Sequence, residues 1–196
     1  RGAAGAVAET PKPGDACFAR VTTHVIGNGH TMLEGAAIFL AEAGIRPIIL
    51  GDTYTGEARE VAQVFAALAR EIRQHHNPWV PPLVLLSGGE TSVTVRGGGR
   101  GGRNTEFLLA LALALDGLDG VHALAADSDG LDGTEDNAGA LLAPDTLTRA
   151  AGLGLDARAH LTNNDAHGYF AALGDLLVTG PTRTNANDFR AILITP

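Results

Sequence analysis

Apolar residues along the chain alternate between a helical rhythm and short buried runs. Thr31–Ala43 sets Met32, Leu33, Ala36, Ala37, Phe39 and Leu40 on one side at helical spacing. Gly44 follows where a terminating glycine belongs. Glu57–His75 carries the clearest stripe, Val61, Val64, Phe65, Leu68 and Ile72. Phe107, Leu108, Leu111 and Leu115 repeat in the same way over a helix expected from an Asn104 cap through Asp116. Weaker helices are expected around Asp145–Ala151 and Ala166–Leu173. Between them lie strand candidates: Phe18–Ile26, Arg46–Leu50, Leu83–Leu86, Ser92–Arg96, Val121–Ala126, Leu176–Thr179 and Arg190–Ile194. Strands alternating with helices over short connections predict an α/β fold, a layered sheet with flanking helices. Asn77-Pro78 and Pro81-Pro82 mark a joint, dividing the chain into 1–82 and 83–196, and no internal repeat is visible. Residues 1–16, rich in Ala, Gly and Pro, read as a linker, and the opening lacks a signal-peptide pattern or initiator Met, as a piece of a longer protein would.

Composition narrows the classes. Hydrophobic residues make up 45% and charged residues 18% of the 196 residues, enough for a packed core. A formal net charge of −8 disfavours general nucleic-acid binding. Apolar runs such as Leu83–Leu86 are too short to span a bilayer. A single cysteine, Cys17, excludes an internal disulfide and fits a reducing cytoplasm. The 7 histidines show no metal-binding spacing.

Three loops after predicted strands carry the candidate chemistry, at the strand ends where open α/β sheets bind ligands. In Ser87-Gly88-Gly89-Glu90-Thr91, two glycines let the backbone approach an anion, beside one carboxylate and one hydroxyl. In Arg96–Asn104, Gly97, Gly99 and Gly102 satisfy G-x-G-x-x-G before a helix, with Asp127 ending the next strand somewhat late for a dinucleotide fingerprint. A mobile loop of Gly97, Gly99, Gly101 and Gly102 with Arg96, Arg100 and Arg103 beside a helix N-terminus suits phosphate or carboxylate directly. In Asp127–Asp136 the spacing is wrong for a calcium loop, but carboxylates on one turn suit Mg²⁺ bridged to phosphates. The tail Thr179–Asp188, with Gly180, Pro181, Thr182, Thr184, Asn185, Asn187 and Asp188, is dense in small hydrogen-bonding groups suited to ligand or hinge contacts.

Taken together, the phrases Leu85–Thr91, Val93–Gly97, Gly101-Gly102-Arg103-Asn104, Asp129–Gly133 and Gly180-Pro181-Thr182 with Thr184-Asn185 and Asn187-Asp188 resemble the MOFRL region of type-2 glycerate kinases. Some members of that family are named hydroxypyruvate reductases. The resemblance covers 83–196, with residues 18–82 similar to the end of the family's larger Rossmann-like N-terminal domain. It implies transfer of the γ-phosphoryl group of ATP to D-glycerate, giving 2-phosphoglycerate, with Mg²⁺ and with the rest of the protein as partner; a homodimer is left open. Arg103, Asp129 and Asp132 would be catalytic, with Asp129 and Asp132 also placing Mg²⁺. Gly88, Gly89, Glu90, Thr91, Arg96, the loop glycines, Asn104 and the Gly180–Asp188 residues would bind substrate or nucleotide. Three positions depart from the family pattern: Asn137, Arg183 in place of a glycine, and Ala186. The family's catalytic lysine belongs to sequence not present here, so the 196-residue chain is expected to be inactive alone. Two rival readings stand beside this one: an NAD(P)H-dependent hydroxypyruvate reductase, and a non-catalytic nucleotide- or carboxylate-binding domain.

Overall fold

Residue chemistry at the ends of each element sets its limits in the computed structural model, which describes residues 10–196; residues 1–9 of the anticipated linker lie outside it. Helix α1 (Gly29–Glu42) opens on a reciprocal cap. The Asn28 carboxamide accepts from Thr31 N at 2.9 Å, and the Thr31 hydroxyl accepts from Asn28 N at 2.7 Å. Strand β1 (Arg46–Glu57) leads into α2 (Ala58–His75), which ends at His76 in a left-handed conformation. There follow β2 (Leu83–Ser92), α3 (Arg103–Leu115), β3 (Val121–Asp127), β4 (Gly139–Leu142), α4 (Thr146–Gly152), α5 (Ala157–Thr162), α6 (Ala166–Leu173), β5 (Leu176–Leu177) and β6 (Asp188–Ile194).

The six strands form one sheet in the order β1-β2-β6-β3-β4-β5, with β1 and β2 parallel and every other pair antiparallel. Strand β6 therefore begins at the sheet edge where β2 and β3 end. Its alternation sorts side chains between two cores. Ile192 and Ile194 pack with α2, α3 and α6, whereas Phe189, Ala191 and Leu193 face α1. Helix α3 is buried along nearly its whole length, with Phe107 edge-on to Phe65 at 5.7 Å between ring centroids. Burying a side chain of that size contributes about 2–3 kcal/mol.

Several expectations are corrected. Phe18–Ile26 is not a strand: a short 3₁₀ turn at Ala16–Phe18 gives way to exposed irregular chain, because nothing among the described residues covers Val21, Val25 or Ile26. Ser92–Arg96 is not a separate strand; β2 itself continues through the glycines to Ser92, paired with β1 and β6. Asn104 does not cap α3 but lies in its first turn, and Gly102 holds the cap position. The packed face of α2 is centred on Ala58, Ala62, Phe65, Ala66, Ala69 and Ile72, leaving Val64 exposed, since small residues let α2 approach α3 closely. Strand β4 and helix α5 carry too few strongly patterned residues to be read from the sequence alone.

Candidate active site

The register of the sheet assembles the site. Asp188, first residue of β6, pairs with Gly89 on β2 and with Asp127 on β3, so the start of β6, the end of β3 and the glycine stretch of β2 meet in one row. Gly89 has φ +110, and a side chain there would stand 2.2 Å from the Tyr54 carbonyl oxygen; only glycine lets β1 and β2 approach so closely. The N-terminus of α3 stands over this row and delivers Arg103 and Asn104 from its first turn.

Arg103 is held by carboxylates. Its Nε donates to Asp188 Oδ1 at 2.7 Å, and Nη2 donates to Asp127 Oδ2 at 2.5 Å. Its remaining nitrogen, Nη1, faces Glu90 Oε1 at 3.6 Å, an ion pair longer than a hydrogen bond. Burial works against the guanidinium charge, but the hydrogen bond to Asp188 and the surrounding carboxylates raise its pKa above the ordinary value. Burial pushes the Asp127 carboxyl up, and the Asp129 amide and Arg103 pull it back down. The Asn104 carboxamide donates to Asp188 Oδ1 at 2.9 Å. Thr91 is buried beside them, its backbone N–H 3.4 Å from Asp188 Oδ2.

Asp132 reaches the same helix terminus from the acidic turn. Its Oδ1 accepts from Asn104 N at 2.9 Å, and its Oδ2 accepts from Thr105 N at 2.9 Å and from the Thr105 hydroxyl at 2.8 Å. Only 1% of the residue is exposed, so this carboxylate is the anion at the head of α3. Burial raises its pKa, opposed by these donors. Gly102 makes the contact possible: a side chain there would lie 2.3 Å from Asp132 Oδ1. Asp129 is half-buried, and its Oδ1 accepts from Leu131 N at 2.8 Å. Among the described residues, no three His, Cys, Asp or Glu side chains stand together as a metal site. Both Asp132 oxygens are already engaged by donors of α3.

The glycine-rich loop is packed against its own chain. Arg96 N and Gly97 N donate to Asn164 Oδ1, Gly98 N to Asn163 Oδ1, and Arg100 N to Asp165 Oδ1. Side chains at Gly97 and Gly99 would fall 2.3 Å from the Asn163 carbonyl oxygen and 2.4 Å from Asp165 Cβ. Asn164 in turn donates to Glu106, which pairs with Arg59 at 2.7 Å. The expectation of a mobile loop is corrected: the connection between α5 and α6 anchors it. The Arg96 guanidinium is exposed and not drawn into the cluster.

The tail loop lies against the acidic turn. Thr182 N donates to the Asp129 carbonyl at 2.9 Å, Ala186 N to the Ser128 hydroxyl at 2.7 Å, and a side chain at Gly130 would strike the Gly180 carbonyl. Asn187 N is capped by Asn185 Oδ1 at 2.9 Å. Pro181, Thr184 and Asn185 are exposed on the outer side. Of the expected site residues, Gly88, Gly89, Glu90, Thr91, Gly102, Arg103, Asn104, Asp132 and Asp188 thus come together; Arg96, Gly97 and Gly99 belong to the anchored loop. Sequence reasoning missed Arg190, and it weighed Asp127 only as a late fingerprint acid and as one carboxylate of the acidic turn, not as a partner of Arg103. Arg190 was visible as a charge in phase with Ile192 and Ile194.

The MOFRL family profile matches residues 83–188. The chain is 50% identical over 188 residues to an Agrobacterium vitis protein provisionally named hydroxypyruvate reductase, covering 95% of this chain and 42% of that protein. It is 38% identical over 180 residues to the D-glycerate 2-kinase of Thermotoga maritima, covering 92% of this chain and 42% of the relative. The crystal structure of glycerate kinase from Thermotoga maritima superposes with a TM-score of 0.87 at 37% identity, over 90% of this chain and 43% of that one. The chain therefore spans less than half the length of these relatives.

Proposed function

The chain belongs to the MOFRL family, and on that footing we propose that it forms the C-terminal part of a kinase that transfers the γ-phosphoryl group of ATP to D-glycerate. The observation that carries the reading is Arg103, fixed by Asp127 and Asp188 at the head of α3 with Nη1 left to a loose, exposed neighbour. Phosphoryl transfer requires positioning and charge neutralisation more than covalent chemistry by the protein. A guanidinium so restrained offers its Nη1 edge to a substrate carboxylate or phosphate without first having to be ordered. Exchange of Glu90, whose side chain is 59% exposed, for the incoming anion is the least disruptive way in.

The remaining roles follow from placement. Asn104 and Thr91 hold the Asp188 carboxylate that orients Arg103, and the tail loop with Asp129 forms the neighbouring wall. Asp132 is assigned to α3 instead of to a cation. Mg²⁺ would then arrive on the nucleotide phosphates, needing one or two carboxylates at most, for which Asp129 is the less committed candidate. The remainder of the catalytic apparatus is assigned to sequence outside these 196 residues, so this chain alone is expected not to turn over. Among the described residues no helix is long and apolar enough to cross a membrane, and the exposed thiol of Cys17 suits a reducing cytoplasm.

The reductase reading is not favoured. Gly97, Gly99 and Gly102, which would have to cradle a pyrophosphate, are filled by Asn163, Asp165 and Asp132. The test is D-glycerate-dependent ADP release from Mg-ATP by the full-length gene product. Arg103→Met is expected to lower kcat/KM by about 100-fold or more, the scale of losing one charge-stabilising donor. Arg149→Met, which breaks ion pairs with Asp145 and Asp175 away from the cluster, should leave turnover nearly unchanged. Equal losses in the two variants, or NADH consumption on hydroxypyruvate without ADP release, would refute the assignment.

A further inference from the structure

Beneath Asp188 lies a second arginine for which the kinase reading has no task. Arg190 is fully buried, and its neighbours are specific. Its Nη2 donates to Asp188 Oδ2 at 2.6 Å and to the Thr91 hydroxyl at 3.1 Å, and its Nη1 donates to the Gly88 carbonyl at 3.1 Å. The guanidinium carbon sits 5.1 Å from the centre of the Phe107 ring, while Nε has no hydrogen-bond partner among the described residues. Burial pushes its pKa below the ordinary value. An interior cation with an unsatisfied donor is a poor way to stabilise a core, and an apolar residue in phase with Ile192 and Ile194 would avoid the penalty. The position therefore calls for an explanation beyond packing.

The division of labour on Asp188 supplies one. Arg190 takes Oδ2, whereas Arg103 Nε and Asn104 Nδ2 share Oδ1. A carboxylate gripped from below on one oxygen can present the other at a fixed place and angle. Arg190 also ties the Gly88 carbonyl and the Thr91 hydroxyl of β2 to the same point, so the stretch of β2 carrying Glu90 is held in register with the arginine that Glu90 faces. Stacking on Phe107 links the arrangement to α3, from which Arg103 projects.

We propose that Arg190 is a positioning residue, clamping Asp188 and the Gly88–Thr91 segment so that the Arg103 guanidinium is already oriented when the anionic substrate arrives. The identity of that anion rests on the kinase reading; the clamp itself does not, and the two are tested separately. The clamp is read in the 196-residue chain by hydrogen exchange at arginine Nε–H groups, followed by nitrogen-15 NMR. Arg190→Met is expected to speed exchange at Arg103 Nε–H about tenfold or more, while backbone amides of β3 and β6 keep their protection, with Arg190→Lys between the two. Unchanged exchange at Arg103, or amides accelerating in step with it, would overturn the proposal, the second outcome marking Arg190 as simply part of the fold.

The functional consequence is read in the full-length gene product. Arg190→Met should lower kcat/KM about 10- to 100-fold, the range for losing an outer partner of a site group. Lysine should restore part of that loss. The loss should vanish when Arg103 is already methionine, because Arg190 acts through it. Losses that multiply in the double variant would overturn the proposal. Wild-type protein without glycerate-dependent ADP release would instead sink the kinase reading and leave the exchange result to decide the clamp.

Discussion

Replacing Asp132 by alanine separates a structural carboxylate from a metal ligand. The substitution removes three close hydrogen bonds at the head of α3, from Asn104 N, Thr105 N and the Thr105 hydroxyl, and a longer one of 3.3 Å from the Asn104 carboxamide. Asn104 and Thr105 are both fully buried, so their N–H groups lose the acceptor away from bulk solvent. Loss of a helix cap costs about 1 kcal/mol, and each buried N–H left unpaired costs about 1–3 kcal/mol. The expected destabilisation is therefore about 3–5 kcal/mol, a large part of the 5–15 kcal/mol typical of a domain. Asp132→Asn keeps one acceptor oxygen and should lose roughly half as much. Urea unfolding followed by far-UV circular dichroism measures both, with an unchanged slope confirming that stability alone has moved. Were Asp132 free to bind a cation, the alanine variant would unfold within about 1 kcal/mol of wild type while activity shifted to higher Mg²⁺. That outcome would refute the reasoning.

Other consequences follow from single positions. Arg183 adopts φ +63, where the family resemblance calls for glycine; Arg183→Gly should stabilise by up to about 1 kcal/mol in thermal unfolding, and a loss would show that its side chain has a supporting contact. Gly97→Ala must push the Asn163 backbone away and should cost at least about 2 kcal/mol in urea, whereas a loop built only to cradle ligand would tolerate it. The hydrogen bond from Arg100 holds the Glu135 carboxyl below its ordinary 4.5, so its contribution to stability is present above that value and is lost as pH falls through the lower folded value. Glu135→Gln should therefore flatten the acid limb of stability against pH below 4.5, and parallel limbs in variant and wild type would remove the pair from the account.

How far the fold could be read from residues depended on whether each signal was local. Helices α1, α2, α3 and α6 were legible because their apolar spacing and end residues are written in consecutive sequence. The strand expected at Phe18–Ile26 failed for the opposite reason. Its β-branched residues satisfy local preference, but a strand exists only with a neighbour, and none of the described residues pairs with it. The continuation of β2 through Gly88 and Gly89 was hidden likewise, since glycines normally punctuate strands and here permit close approach of Tyr54 and Asp188.

The site shows the same divide. Arg103, Asn104, Asp132 and Asp188 could be picked out as polar residues in glycine-bearing phrases, yet nothing along the chain says that Asp132 would face a helix terminus or that the glycine loop would rest on Asn163 and Asn164. Those facts depend on contacts between residues far apart in sequence. Arg190 is the instructive exception. In Asp188-Phe189-Arg190-Ala191-Ile192-Leu193-Ile194, every second residue is buried, and the buried phase begins with a carboxylate and a guanidinium before turning to isoleucine. A strand that points opposite charges into the interior two residues apart must neutralise them there, because each alone would cost several kcal/mol. The period-2 pattern thus held enough to predict the Asp188–Arg190 pair, and with it the foundation on which Arg103 stands.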